Sequence, residues 1–162
     1  MHFTTPLIGH HQLSQGGILG AIMPFGRSNV GIIVDAVSAL NPQQFQCCES
    51  GYDITCVDNA QDGRPNTRNL LALGISAPAA KHCAELQTAG FSDWYLPSLA
   101  EMLMLRLNVP HLMLDSDLYW TSTLTDDGRA YAVHFGQRFA LSTTVDTERY
   151  CHVVAVRRYR LP

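Results

Sequence analysis

The sequence predicts an α+β domain: an N-terminal β-hairpin, then two helices, then an antiparallel β meander. Three observations carry that prediction. Two apolar, β-branched-rich runs, Gly17–Phe25 and Val30–Val37, flank the turn residues Gly26, Arg27, Ser28 and Asn29. Helix caps and an apolar stripe at helical spacing mark the stretch from Ser76 to Asn108. From Leu118 onward the apolar period becomes two, and no strand-helix-strand alternation points to a parallel sheet.

Taken in order, residues 1–15 are polar, hold His2, His10 and His11, and show no periodicity; they read as a flexible or partner-bound arm. Residues 16–162 read as one domain, a length sufficient for a core at 46% hydrophobic and 15% charged residues. After the hairpin, Leu40 to Arg68 is rich in Asn, Gln, Asp, Gly and Pro and reads as a long loop, with Asn59 to Asn66 its most loop-like part. Ser76 as N-cap, Pro78 in the first turn, and Ala79, Cys83 and Leu86 on one face predict the first helix, which Gly90 ends. In GFSDWYLPSLAE, residues 90–101, the apolar run Trp94, Tyr95 and Leu96 leads to Pro97, which bars an earlier helix start. Ser98 and Glu101 then form an S-x-x-E capping box, and the second helix runs to about Asn108, ahead of Pro110. Leu118–Leu124, Ala130–Phe135, Arg138–Ser142 and Tyr150–Tyr159 read as four strands, with turns at Asp126-Asp127-Gly128 and Gly136-Gln137.

Charge and cysteine usage narrow the function classes. The formal net charge is -3, and Lys81 is the only lysine among eleven basic residues, so no basic face for nucleic acid is expected. Arg157, Arg158 and Arg160 cluster near the end and read as solvated strand-end charges. Five cysteines, Cys47, Cys48, Cys56, Cys83 and Cys151, make an odd count that argues for reduced thiols. Met1 to Pro6 lacks the basic region of a signal peptide and no run reaches transmembrane length, so the expectation is synthesis in the cytosol without membrane insertion.

The segments AAKHCAELQTAGFSDWYLPSLAEM, YWTST, AYAVHF and VVAVRRY, in that order, together resemble the C-terminal domain family of Legionella collagen-like proteins. The residues that carry the resemblance include Trp94, Leu96, Pro97, Ser98, Glu101 and Trp120, with Gly16-Gly17 and the GRPNTRNL stretch at 63–70 upstream. The resemblance implies a C-type-lectin-like fold, related in shape to formylglycine-generating enzymes and to variable receptor-binding proteins of phages. It implies a virion protein of a phage or prophage, a tail receptor-binding (tail-fibre) or head/tail decoration protein. Its partners would be other virion proteins and a host-surface receptor or glycan, and its state a homo-oligomer, with a trimer as one form. A bacterial surface adhesin that binds glycans is the alternative. The chain departs from the family's closing V-R-x-V-R, having Val154 at the first arginine and Ala155 where a cysteine or small residue stands, with Cys151 four residues earlier. The disulfide that the resemblance would give Cys83 is therefore not expected.

No cofactor, metal or catalytic group is expected. Cys47, Cys48 and Cys56 give C-C-x7-C with only Asp53 and Asp58 nearby, so a metal-dependent enzyme related to the formylglycine-generating type is a third reading. Asp115 with Asp117, and Asp126 with Asp127, are carboxylate pairs at turn positions and lack the further oxygens a calcium ion needs. His82, His134 and His152 show no H-E-x-x-H pattern, and no serine sits in a nucleophile elbow. Trp94 and Trp120 read as core. Arg129, Tyr131, His134 and Arg138, on the meander and its turns, are the candidate ligand contacts.

Overall fold

The computed structural model describes residues 6–115, 117–136 and 141–161. Its first sheet joins the two ends of the chain. A short strand β1 (His11–Gln12) pairs with β2 (Gly17–Phe25), and β2 pairs through a tight turn with β3 (Ser28–Val34). The last strand, β9 (Val156–Arg160), then lies antiparallel along β3. The second sheet has the order β4 (Gln43–Phe45), β8 (Cys151–Val153), β5 (Leu118–Leu124), β6 (Ala130–His134) and β7 (Ser142–Val145). Its neighbours are antiparallel except β5 and β8, which meet in parallel at Tyr119 and His152. With helices α1 (Ala36–Leu40), α2 (Gly63–Ala72), α3 (Pro78–Ala84) and α4 (Leu99–Asn108), the class is mixed α+β.

Burial follows from the apolar faces of these elements. Leu19, Ile33, Leu70, Trp94, Leu96 and Trp120 lie in one cluster, beneath α2 and α3. Ile32, Val34, Met102, Leu105, Tyr119 and Val133 lie in a second, where α4 rests on β2, β5 and β6. Both tryptophans are buried, and the Trp120 indole N–H donates to the Phe45 carbonyl at 2.8 Å, so neither ring is offered to solvent.

Several sequence expectations change. Residues 6–15 do not stand off as an arm: His11–Gln12 pair with β2, and Gly9 N–H donates to the Leu19 carbonyl at 2.7 Å. The expected long loop contains β4 and the start of α2, Gly63 to Arg68, and the polar sequence of this helix buries only Gly63, Asn66, Thr67 and Leu70. The first predicted helix starts after Ala77 rather than Ser76 and ends at Ala84. Gly90 instead completes a tight reversal between Thr88 and Phe91, in which Ala89 (φ 53°) and Gly90 (φ 82°) are both left-handed, the geometry of a hairpin turn. In the meander, β7 is Ser142–Val145; of the expected strand Arg138–Ser142, residues 138–140 lie outside the described residues, as does Gln137 of the preceding turn. The expected last strand divides at Val154-Ala155, and its halves serve different sheets.

The capping box is present: Ser98 Oγ accepts from Glu101 N–H at 3.3 Å, and Glu101 Oε2 accepts from Ser98 N–H at 2.8 Å. Glu101 is 0% exposed, and its carboxylate does more than cap. Oε2 also accepts from Gly63 N–H at 3.0 Å, and Oε1 accepts from the Tyr95 hydroxyl at 2.6 Å and from Arg158 Nε at 2.7 Å. Gly63 must be glycine here, because a Cβ would stand 2.3 Å from the Leu96 carbonyl oxygen. Arg158 Nη2 donates to the Gln61 carbonyl, and Nη1 lies 3.5 Å from Asp62 Oδ2. Arg157 pairs with Asp93 through Nε and Nη2 and covers the Phe91 ring at 3.7 Å. These two arginines are therefore buried partners rather than solvated charges; Arg160 is exposed.

The charges in this network sustain one another. Burial pushes the Tyr95 hydroxyl well above its ordinary range, and the Glu101 carboxylate adds to the push. Burial alone would raise the Asp62 carboxyl too, but hydrogen bonds from Arg64 and the charges of Arg158 and Arg64 outweigh it and hold Asp62 below the usual carboxylate range. Removing one partner leaves the other buried and uncompensated. Glu101→Ala and Arg158→Met are each expected to cost about 3–5 kcal/mol, measured by urea unfolding. Because the folded pKa of Asp62 is depressed, its contribution is present above the unfolded carboxylate pKa and is lost as pH falls through the folded one. Melting temperature followed across the acid range should thus fall less steeply for Asp62→Asn than for the natural chain.

Candidate functional site

The long segment between β4 and α2 is fastened down. Cys47 N–H donates to the Thr147 carbonyl at 2.9 Å, Glu49 N–H to Ser76, and Leu124 N–H to Val57. Gln46 Nε2 donates to the Glu148 carbonyl at 2.7 Å, and the Ser50 hydroxyl donates to the Glu148 carboxylate. Asn59 and Asn66 bond reciprocally, Asn59 N–H to Asn66 Oδ1 at 3.0 Å and Asn66 Nδ2 to the Asn59 carbonyl at 2.7 Å. A segment held this way presents side chains from a fixed backbone.

Against it lies the β5–β6 turn, and the two enclose a cavity of about 380 Å³. Its polar wall is Tyr52, Asp53, Asp126, Asp127, Arg129 and Asp146. Three of the aspartates are oriented by their own turns: Asp53 Oδ1 accepts from Thr55 N–H at 3.2 Å, Asp127 Oδ1 from the Thr125 hydroxyl, and Asp146 Oδ1 from Glu148 N–H at 2.9 Å. The Thr55 hydrogen bonds hold the Asp53 carboxyl below its usual range, and that of Thr125 does so for Asp127. Arg129 Nη2 is anchored on the Thr144 carbonyl at 2.8 Å. The wall thus carries four carboxylates and one guanidinium, with the Tyr52 ring 51% exposed beside them. It accepts hydrogen bonds better than it donates them and repels anions.

The predicted contacts are divided by this geometry. Arg129 lines the cavity, and Tyr131 lines an adjoining cleft of about 630 Å³ that shares Asp126 and Asp127 with it. His134 sits at the other end of β6, where its Nδ1 accepts from Gly136 N–H at 3.1 Å. Arg138 lies outside the described residues. Sequence reasoning missed Tyr52 and Asp146 and placed Asp53 with the thiols instead; all three come from segments without periodicity, whose one signal was the density of turn residues.

The thiols fall into a different grouping from C-C-x7-C. Cys47, Cys48, Cys83 and Cys151 are buried and Cys56 is exposed, all as free thiols. A hydrogen bond between the Cys47 and Cys48 thiols, together with burial, pushes Cys47 well up, while the same bond draws Cys48 below the ordinary thiol range. Burial raises Cys151 to about 11 and also raises Cys83, whose Sγ rests 4.0 Å from the Val154 carbonyl oxygen. Among the described residues no three His, Cys, Asp or Glu side chains converge so as to hold a metal ion.

Comparison of the chain with protein-family models and with curated proteins gives no match. No helix among the described residues is long and apolar enough to cross a membrane.

The thiol arrangement sets an expectation for chemical labelling. Titration with an aromatic disulfide reagent should modify Cys56 alone in the folded protein and all five cysteines in denaturant.

Proposed function

We propose that this chain is a non-enzymatic binding module of C-type-lectin-like architecture, carried on a phage or prophage particle as a tail receptor-binding or head/tail decoration protein. The observation that carries the binding reading is the acidic cavity between residues 50–55 and the β5–β6 turn. Carboxylates on fixed turns accept hydrogen bonds from sugar hydroxyls, Arg129 donates one back, and the exposed Tyr52 ring offers a face for the apolar side of a pyranose. Four carboxylates against one guanidinium favour a neutral glycan over a polyanionic one.

Two features support the lectin-like architecture. The N-terminal hairpin shares its sheet with the last strand, while the signature segment Trp94–Ser98 runs between the two sheets. Cys83 lies against the Val154 carbonyl, beside Ala155, the position that the family resemblance gives to a cysteine or a small residue. Placement on a particle rests on that resemblance. The same cavity serves equally well on a bacterial surface adhesin, and location separates the two.

Two measurements test the proposal. On an array of neutral and acidic glycans, the protein should bind neutral members, and Tyr52→Ala and Asp126→Asn should each weaken binding about tenfold or more. A flat array overturns the glycan reading. Immunogold labelling of purified particles should find the protein on the virion; label confined to bacterial cell surfaces favours the adhesin.

A further inference from the structure

At the other end of β5 and β6 from the acidic cavity, β5 and β8 share the register pair Tyr119↔His152, and ahead of it the chain opens into a slot. The slot encloses about 200 Å³ and is lined by Gln44, Asp117, His134, Arg149, Tyr150 and His152. His152 is 9% exposed. Its Nε2 is 3.2 Å from Asp117 Oδ2 and 3.2 Å from Gln44 Nε2, and its ring lies 5.3 Å from the Tyr119 ring. Its Nδ1 is buried without a hydrogen-bond partner among the described residues. Burying an imidazole nitrogen unpaired costs stability, and a group of that kind beside a slot calls for a structural reason.

The lining is chemically mixed. Arg149 is exposed, with no side-chain partner among the described residues, and supplies a planar two-pronged donor. Asp117 remains 42% exposed beside His152 and supplies an acceptor. The Tyr150 ring, 61% exposed, forms an apolar wall. Because Asp117 shares the lining with Arg149, a doubly charged anion such as phosphate is disfavoured there by the carboxylate. A singly charged carboxylate that carries hydroxyls satisfies both: the carboxylate to Arg149, the hydroxyls to Asp117 and Gln44, the ring face to Tyr150.

We infer that the slot is a second binding site, for a single acidic sugar ring of the uronic acid type. It is independent of the acidic cavity, whose charge selects the opposite class of ligand. Isothermal titration of the full chain with D-glucuronate, D-glucose and inorganic phosphate tests it. Glucuronate should bind with one-to-one stoichiometry, about tenfold or more tighter than the other two. Arg149→Ala, at an exposed position, should weaken glucuronate about tenfold while leaving the melting temperature unchanged, and Gln44→Leu, which also removes the contact to His152, should weaken glucuronate about tenfold and lower the melting temperature. Asp126→Asn, in the cavity, should leave glucuronate binding intact. The inference fails if glucuronate shows no binding at millimolar concentration, if phosphate binds as well, if Arg149→Ala has no effect, or if Asp126→Asn abolishes binding.

Discussion

The fold depends on one buried carboxylate. Glu101 accepts from Ser98 N–H, Gly63 N–H, the Tyr95 hydroxyl and Arg158 Nε, so its charge is surrounded by donors from four places in the chain. A carboxylate taken out of water without such partners costs several kcal/mol or more, and the surroundings must therefore assemble together or not at all. Through this one group the starts of α2 and α4, the segment before α4, and the final strand acquire fixed relative positions. Asp62 closes the arrangement, since it caps α2, pairs with Arg64 and faces Arg158. The helix starts bring their own electrostatic bonus, because the positive ends of α2 and α4 both point at the Glu101 carboxylate.

That constraint propagates to the surface through the segment Trp94–Ser98. Tyr95 exchanges backbone hydrogen bonds with Val156 at 2.8 and 3.1 Å, Leu96 N–H donates to Thr67 Oγ1 at 3.1 Å, and the Pro97 carbonyl accepts from Ser122 N–H at 2.7 Å. One extended stretch thus stitches β9, α2 and β5 together. Both sheets are tied to it, so the turn after β5 and the segment before α2 meet in a fixed relation, and the cavity between them exists before any ligand arrives. A preformed site spares the ligand the entropy of ordering loops.

What the sequence disclosed and what it withheld divide along the range of the interactions. The hairpin, the capping box, α4 and the strands β5 and β6 were legible because each rests on neighbours a few residues apart: alternating apolar residues, a Ser98–Glu101 pair, an apolar stripe. Helix α2 was not, since its buried side includes Asn66 and Thr67, polar residues satisfied by Asn59, Ser122 and Leu96. Nor was the division between β8 and β9, where Val153, Val154, Ala155 and Val156 form an unbroken apolar run whose change of sheet is set by partners more than a hundred residues away. Arg157 and Arg158 look like surface charges until Asp93 and Glu101 are brought to them. For the site, the turn at Asp126-Asp127-Gly128 was legible as a turn, and Arg129 as its neighbour. Tyr52, Asp53 and Asp146 were invisible as its partners, because turn chemistry says where the chain bends and not what it bends toward.

The residues that hold the fold and those that line the open surfaces are different sets. Glu101, Arg158, Tyr95 and Ser98 are buried and joined through the Glu101 carboxylate, Thr67 is buried and bonded to the Leu96 backbone, and a change at any of them strands a polar partner out of water. Tyr52, Asp126, Asp127, Arg129, Arg149 and Tyr150 are exposed, and among the described residues their side chains bond to no buried group; Arg129 anchors on a backbone carbonyl and Asp127 on its own turn. Substitution there leaves the network intact and costs tenths of a kcal/mol, by the usual measure for surface positions. Specificity can therefore change over the cavity and the slot without loss of stability, while the GFSDWYLPSLAE segment cannot change without it. That asymmetry explains why the GFSDWYLPSLAE stretch, which holds the fold through Tyr95, Ser98 and Glu101, contributes no residue to the wall of the acidic cavity or to the slot.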